Sequence, residues 1–374
     1  MEDNFKIFSE NLLQLKNQIS ELNEKEEIST TEQKLLLIQE TIHKTIEICK
    51  KLREKPKLKS KINEQKTLTS IQTLNKIFKL DNSSDVHSII ELNDSRIATG
   101  GGYNYSIRIF SLDFESKSWK LNIIHKAHND IIPSLCELQG NRLVSSSVDS
   151  TIKIWNLSQD SLTLIKTLNG RGGWIYKVIP LTIDRLAFGS GEHIIKIWES
   201  KDNYNEVRTL IDNFSVYSLL QLQNREILVC GGDSDEISFW NINTYKKEHS
   251  IRCGGADSPN GMIELPNNCI AVKGTDSTSI DIIDTINYVV IKKIENEKYI
   301  AGDGENSSLY LLDDGSFIYA HSQCFCQISI KDFKILYTKK KEKEFHGKAL
   351  IVMHKGKYIL ASNSSKGVSV FEQQ

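Results

Sequence analysis

The chain has 374 residues, 39% hydrophobic and 25% charged, with a formal net charge of −1. That composition fits a soluble globular protein, and the near-neutral balance gives no reason to expect bulk attraction to nucleic acid or a membrane surface. No run of about 18 apolar residues marks a transmembrane helix, and Met-Glu-Asp-Asn-Phe-Lys lacks the basic-then-apolar order of a signal peptide.

Residues 1–61 are rich in Glu, Lys, Gln, Leu and Ile, with no Gly and a single Pro, Pro56. Phe5, Phe8, Leu12, Leu15, Ile19 and Leu22 recur at three- and four-residue steps, the stripe of an amphipathic helix. Ser29-Thr30-Thr31-Glu32 offers a capping box. A second stripe follows through Leu35, Ile38, Ile42, Ile46, Cys49 and Leu52, and Pro56 ends it. The expectation is an α-helical hairpin or one strand of a coiled coil, packing on its own protein, self-associating or binding a partner. Lys50, Lys51, Arg53, Lys55, Lys57, Lys59 and Lys61 form a basic hinge. Glu54 interrupts it and no aromatic residue interleaves, so it reads as a solvated linker rather than a nucleic-acid or lipid patch.

From about residue 67 the texture changes to short strands. Seven segments share one grammar: an apolar first strand, a turn, a second strand of small and apolar residues, a turn, and a third strand of the Ile-x-Ile-aromatic type. The clearest copy is Arg142 to Leu157, whose two alternating runs flank Asp149-Ser150, the pattern of a β-hairpin. Aligned through Ala98, Val144, Ala187, Leu228, Ala271, Tyr319 and Leu360, neighbouring segments differ by 46, 43, 41, 43, 48 and 41 residues. A period in the low forties matches a four-stranded propeller blade and excludes shorter helical repeats. After the last third strand, near Phe371, no fourth strand is available. Upstream, Gln72 to Leu80 resembles a fourth strand without a blade, so strand 72–80 is expected to complete the last blade and close the ring.

The third strands Ile152-Lys153-Ile154-Trp155, Ile195-Lys196-Ile197-Trp198 and Ile237-Ser238-Phe239-Trp240, with the preceding Asp149, resemble WD40 repeats. The resemblance covers roughly residues 67–374 and implies an all-β, seven-bladed WD40-type β-propeller, preceded by the helical segment. It also implies a hydrogen-bonded clasp in each blade, of His, Ser or Thr, Asp and Trp. Only the second segment has the full set: His128, Ser145 or Ser147, Asp149 and Trp155. The first has Asn104 and Phe110, the third Glu192 and Trp198, and the fourth and fifth Asp233 and Asp276, each one residue early. The sixth, around Cys324-Phe325-Cys326, is the weakest.

Some of these residues look chemical. His128, Asp149 and a nearby Ser match a hydrolytic triad by type, but the same trio is the implied clasp. Cys324-x-Cys326 with His321 lacks the second pair that a tetrahedral zinc needs. Gly170-Arg171-Gly172-Gly173 leads into a strand, not a phosphate-binding helix N-terminus. No nucleophile, metal or cofactor motif emerges, so the expectation is a non-enzyme without cofactor or metal. Seven scattered cysteines, most at apolar strand positions, read as free thiols in a reducing compartment, the cytoplasm or nucleus.

The expected function is a scaffold or adaptor binding other proteins through the propeller face and the N-terminal helices. The alternative is a substrate receptor of a ubiquitin-ligase system whose catalysis a partner supplies. By the resemblance, contacts fall on loops entering first strands or joining second to third strands. Those loops carry Tyr103, Tyr105, Arg171, Trp174, His193 and Phe214. Trp174 and Phe214 could equally begin their strands and pack inward.

Overall fold

The computed structural model describes residues 74–373, apart from short stretches that include 103, 171–172, 254–258, 275–278 and 296–307. The chain divides into two units, Met1–Thr67 and Leu68–Gln374, and the second is treated by itself. The helical hairpin and basic hinge fall outside the described residues.

Every regular element among the described residues is a strand, and the strands form seven four-stranded antiparallel sheets. β1 (Leu74–Asp81) precedes the first blade, which is β2 (Val86–Glu91), β3 (Ile97–Gly101), β4 (Ser106–Asp113) and β5 (Ser118–Lys126). Blade 2 is β6 (Ser134–Leu138), β7 (Arg142–Ser146), β8 (Thr151–Leu157) and β9 (Leu162–Asn169). Blade 3 is β10 (Ile175–Thr182), β11 (Arg185–Ser190), β12 (Ile194–Glu199) and β13 (Asn205–Ile211). Blade 4 is β14 (Val216–Gln221), β15 (Ile227–Gly232), β16 (Glu236–Asn241) and β17 (Lys246–Arg252). Blade 5 is β18 (Pro259–Leu265), β19 (Cys269–Gly274), β20 (Ser279–Asp284) and β21 (Val289–Glu295). Blade 6 is β22 (Ser308–Leu311), β23 (Ser316–Ala320), β24 (Cys324–Ser329) and β25 (Ile335–Lys340). Blade 7 is β26 (Phe345–Met353), β27 (Tyr358–Asn363) and β28 (Gly367–Gln373), with β1 paired on β28 as its fourth strand.

The first strands adjoin one another in turn, from β2 through β6, β10, β14, β18 and β22 to β26, and β26 adjoins β2. The second unit is therefore a closed ring. Its core is distributed as seven apolar clusters, each packed between adjacent blades. Second and third strands lie between neighbouring blades and are buried almost continuously, as in β3 and β15. Outer strands such as β17 (Lys-Lys-Glu-His-Ser-Ile-Arg) are mostly exposed, and their charges discourage pairing with another edge.

One irregularity repeats in every blade. The pairing of third with fourth strand shifts by one residue at the Trp-type position. The shifts fall at Ile109/Phe110, Ile154/Trp155, Ile197/Trp198, Phe239/Trp240, Ile282/Ile283 and Gln327/Ile328. In blade 7 the shift lies between Lys76 and Phe78, opposite Phe371 and Val370. A bulge of this kind raises local twist. It also fixes equivalent positions: Ala98, Val144, Ala187, Val229, Ala271, Ile318 and Leu360 all face the residue just before the shift. The spacings become 46, 43, 42, 42, 47 and 42 residues. The sequence alignment through Leu228 and Tyr319 was thus one residue out in blades 4 and 6.

Polar ties join the blades at repeated places. Arg96, at the entry to β3, donates to the carbonyls of Ser158 (3.1 Å) and Gln159 (2.8 Å) in blade 2. Arg142, opening β7, reaches the Tyr204 hydroxyl beside blade 3 at 2.6 Å, and Arg225, just before β15, bonds the Thr285 carbonyl and hydroxyl after β20, each at 2.9 Å.

Candidate functional site

In blade 2 the turn after β7 carries Asp149 between Val148 and Ser150, which takes a left-handed φ of 67°. Asp149 Oδ1 accepts from the Thr151 amide (3.0 Å) and hydroxyl (2.6 Å). Its Oδ2 faces the Asn129 amide and His128 Nδ1, both at 3.0 Å. His128 Nε2 lies 2.7 Å from Ser145 Oγ, which accepts the Trp155 indole N–H at 2.9 Å. With Asp149 ionised, Nδ1 carries the ring proton and Nε2 accepts from Ser145, so every polar atom of the chain is paired. Ser147 acts separately: its hydroxyl donates to the Asp130 carbonyl at 3.2 Å and accepts from the Asp149 amide at 3.0 Å.

By connectivity this is Asp, His, Ser, the order of a hydrolytic triad. Its surroundings give it another role. Ser145 is fully buried and His128 nearly so, and the Ser145 oxygen already holds an indole proton. A nucleophile needs a path to substrate, and here the hydroxyl is a link in the blade's interior. Burial lowers the His128 pKa from the ordinary 6.5, against the pull of Asp149. Burial alone would raise Asp149, but the bonds from His128, Asn129 and Thr151 outweigh it and hold the carboxyl well below its ordinary 3.8.

The sign of the pH response follows. The unfolded chain takes up the histidine proton near 6.5 while the folded blade resists it, so stability is complete above that pH and declines as pH falls through the interval beneath. A further loss begins below the ordinary carboxylate value of 3.8. Asp149→Ala should cost about 1–3 kcal/mol in thermal unfolding at neutral pH, because it strands several donors at once. A His128→Asn variant should lose the first acid step and keep the second.

The other blades solve the same problem differently. In blade 4 the residue equivalent to His128 is Asp212, in the loop before β14. Its Oδ2 accepts the Trp240 indole N–H (2.8 Å) and the Cys230 thiol (3.3 Å), and its Oδ1 accepts from Ser238 (3.1 Å) and Lys247 (2.7 Å). Asp233, one residue early in the repeat pattern, accepts the Ser215 amide at 2.7 Å. In blade 3 the Ser145 position is Phe188, whose ring meets Trp198 edge-on at 5.3 Å. Among the described residues the buried Trp198 indole nitrogen has no hydrogen-bond partner. Blade 6 replaces the apolar residue before the bulge with Gln327, which donates to Asp314 (3.0 Å) and Ser316 (2.8 Å). Cys326 is buried among Phe317, Tyr319 and Ile328. Asp276 and His321 lie outside the described residues.

Loops entering first strands and loops joining second to third strands bond to each other, which places them on one end of the ring. The Tyr105 carbonyl accepts from Ala127 and His128, the Trp174 carbonyl from Gly191, and the His193 carbonyl from Asp212. Tyr105 (φ 53°) is half-buried and His193 (φ 61°) is exposed. Trp174 is 57% exposed, whereas Phe214 is buried among Val216, Leu228 and Trp240. Phe214 is therefore a packing residue and not a surface contact. Tyr103 and Arg171 fall outside the described residues.

Two residues of this mouth escaped the sequence reading. Where β10 pairs with β11, Tyr176 is an extra residue between Ile175 and Lys177, and Tyr217 repeats the arrangement on β14. His87 does the same on β2. Tyr176 meets Tyr217 at 4.4 Å and 66°, and Trp174 at 6.2 Å and 78°. The signal available was a Tyr just after the first residue of two successive first strands.

Residues 119–156 match the family described as WD domain, G-beta repeat. That span takes in nearly all of β5 and then β6, β7 and most of β8, so the repeat unit straddles two blades. Seven four-stranded blades in a closed ring make the second unit a β-propeller, and residues 119–156 carry a WD40 repeat within it. It is similar to the Ubiquitin homeostasis protein lub1 of Schizosaccharomyces pombe, 29% identical over 117 residues, covering 31% of this chain and 15% of that protein. It is also similar to the Nuclear distribution protein nudF of Aspergillus flavus and of Aspergillus oryzae, 30% identical over 106 residues, covering 27% of this chain and 23% of each relative. The chain thus matches less than a quarter of the length of these relatives.

Proposed function

We propose that this protein is a non-enzymatic scaffold or adaptor that holds protein partners on the mouth of its propeller. The observation that carries the reading is Trp174. It is more than half exposed, whereas Trp155, Trp198 and Trp240 are buried in blade interiors. An exposed aromatic residue backed by two half-buried tyrosines is the composition of an interface anchor, because it buries a large area at small entropic cost. The N-terminal stripes supply a second surface, for a partner or for self-association, and the working compartment is cytoplasmic or nuclear.

The test is Trp174→Glu in an affinity capture from cells expressing the full chain. Its thermal melt should stay within about 1 °C of the wild type, since surface changes away from packing cost little. Its main partner should be lost. Retention of the partner at wild-type yield would contradict the reading. The second reading, a substrate receptor of a ubiquitin-ligase system, is favoured by the similarity to a protein named for ubiquitin homeostasis. It requires cullin or RING subunits to co-purify with the chain; a scaffold outside that system does not bring them.

A further inference from the structure

We propose that Trp174, Tyr176 and Tyr217 form a receptor for the ammonium group of a lysine, plain or methylated, carried by the bound protein. The inference rests on the reading of the mouth as a binding face and names the chemistry of one contact there. The three rings come from two consecutive blades and meet at steep angles, 78° and 66°, so that they form a corner and not a flat stack. Aromatic faces carry negative potential and attract a cation placed over them.

The rim supplies the matching charge. The Asp233 carboxylate is fixed by the Ser215 amide at 2.7 Å, two residues from Tyr217. Glu192 is exposed, and its side chain lies where a Cβ on Gly173 would stand, with Cγ 2.4 Å from that point. A larger residue at position 173 would require the Glu192 side chain to move. Burial, then the neighbouring Tyr217 and the charge of Asp233, push the Tyr176 hydroxyl up to about 12. Tyr217 is raised as well, by burial and then by Asp233. Both hydroxyls therefore stay neutral.

The probe is N-acetyl-trimethyllysine amide, compared with its neutral analogue in which a tert-butyl group replaces the trimethylammonium. Binding is read on the full chain labelled with 15N-tryptophan, through the Trp174 indole resonance, assigned by its loss in Trp174→Phe. The expected result is a saturable shift for the cation, with the neutral analogue weaker by about five-fold. Asp233→Asn, which keeps an acceptor for Ser215, should weaken the cation and leave the neutral analogue unchanged. Equal binding of the two probes, or no shift with the cation at tens of millimolar, would overturn the proposal. If Trp174→Glu abolishes partner capture while the cation does not bind, the binding face stands and the ammonium receptor falls. If the cation binds but capture survives Trp174→Glu, the receptor stands and the face reading falls.

Discussion

A truncation that removes residues 1–81 will unfold several kcal/mol more easily than one that removes residues 1–61, and it will aggregate. β1 is paired with β28 from Leu74 opposite Gln373 to Asp81 opposite Gly367, with one shift between Lys76 and Phe78. Leu80 is fully buried among Val86, Leu360, Val368 and Val370. Its loss alone forfeits about 1.5–3 kcal/mol of apolar burial. Phe78 packs on Phe114, which stacks on Tyr358 at 3.9 Å, so β1 also ties blade 7 to the turn of blade 1. The contact is close: a Cβ on Gly367 would sit 2.4 Å from the Leu80 carbonyl oxygen. Removing the strand bares the ladder of β28, a template for pairing with another chain. The shorter truncation keeps all of β1 and should melt as the full chain does. Equal melting temperatures for the two truncations would show that the ring does not depend on this closure.

Asp212→Ala should be the most damaging single substitution in blade 4, costing about 3–5 kcal/mol, as expected for breaking one side of a buried ion pair. The carboxylate is the shared acceptor of Trp240, Cys230, Ser238 and Lys247. Burial pushes its pKa up, but the bonds from Lys247 and Trp240 outweigh that and hold it below 3.8. This stability is complete above the ordinary carboxylate value and is lost as pH falls below it. Lys247 is 25% exposed and can rehydrate, while the indole, thiol and hydroxyl cannot. Asp233→Ala, which releases one part-buried amide bond, should cost about 1 kcal/mol. Denaturant midpoints of the two variants decide the matter; equal losses would mean that Asp212 is not the hub.

The strand grammar and the period near 42 were legible because neighbouring blades bury both faces of the middle strands, which writes apolar runs into Ile-x-Ile-aromatic segments. The polar details were less legible, for a physical reason. A clasp needs an acceptor for the indole, and the chain draws it from different places: Ser145 on the second strand in blade 2, Asp212 from the preceding loop in blade 4. Spacing from the tryptophan finds an acid in the turn, and so it pointed to Asp233. The bulges had a similar effect. Each adds one residue to a strand, which hid Tyr176 and Tyr217 within ordinary first strands. Phe214 was ambiguous because a loop aromatic just before a strand can face either way, and the apolar gap between blades 3 and 4 takes it inward.

The most direct test of the account is a photo-crosslinking comparison. A benzophenone amino acid is placed at Trp174, at the mouth, and in a second protein at Ile124, on the outer strand of blade 1. Both positions are 57% exposed, so accessibility is matched and only location differs. The account predicts that the captured partner crosslinks from position 174 and not from position 124. Crosslinking from 124 with none from 174 would place the partner on the rim of the blades and contradict the binding face proposed here.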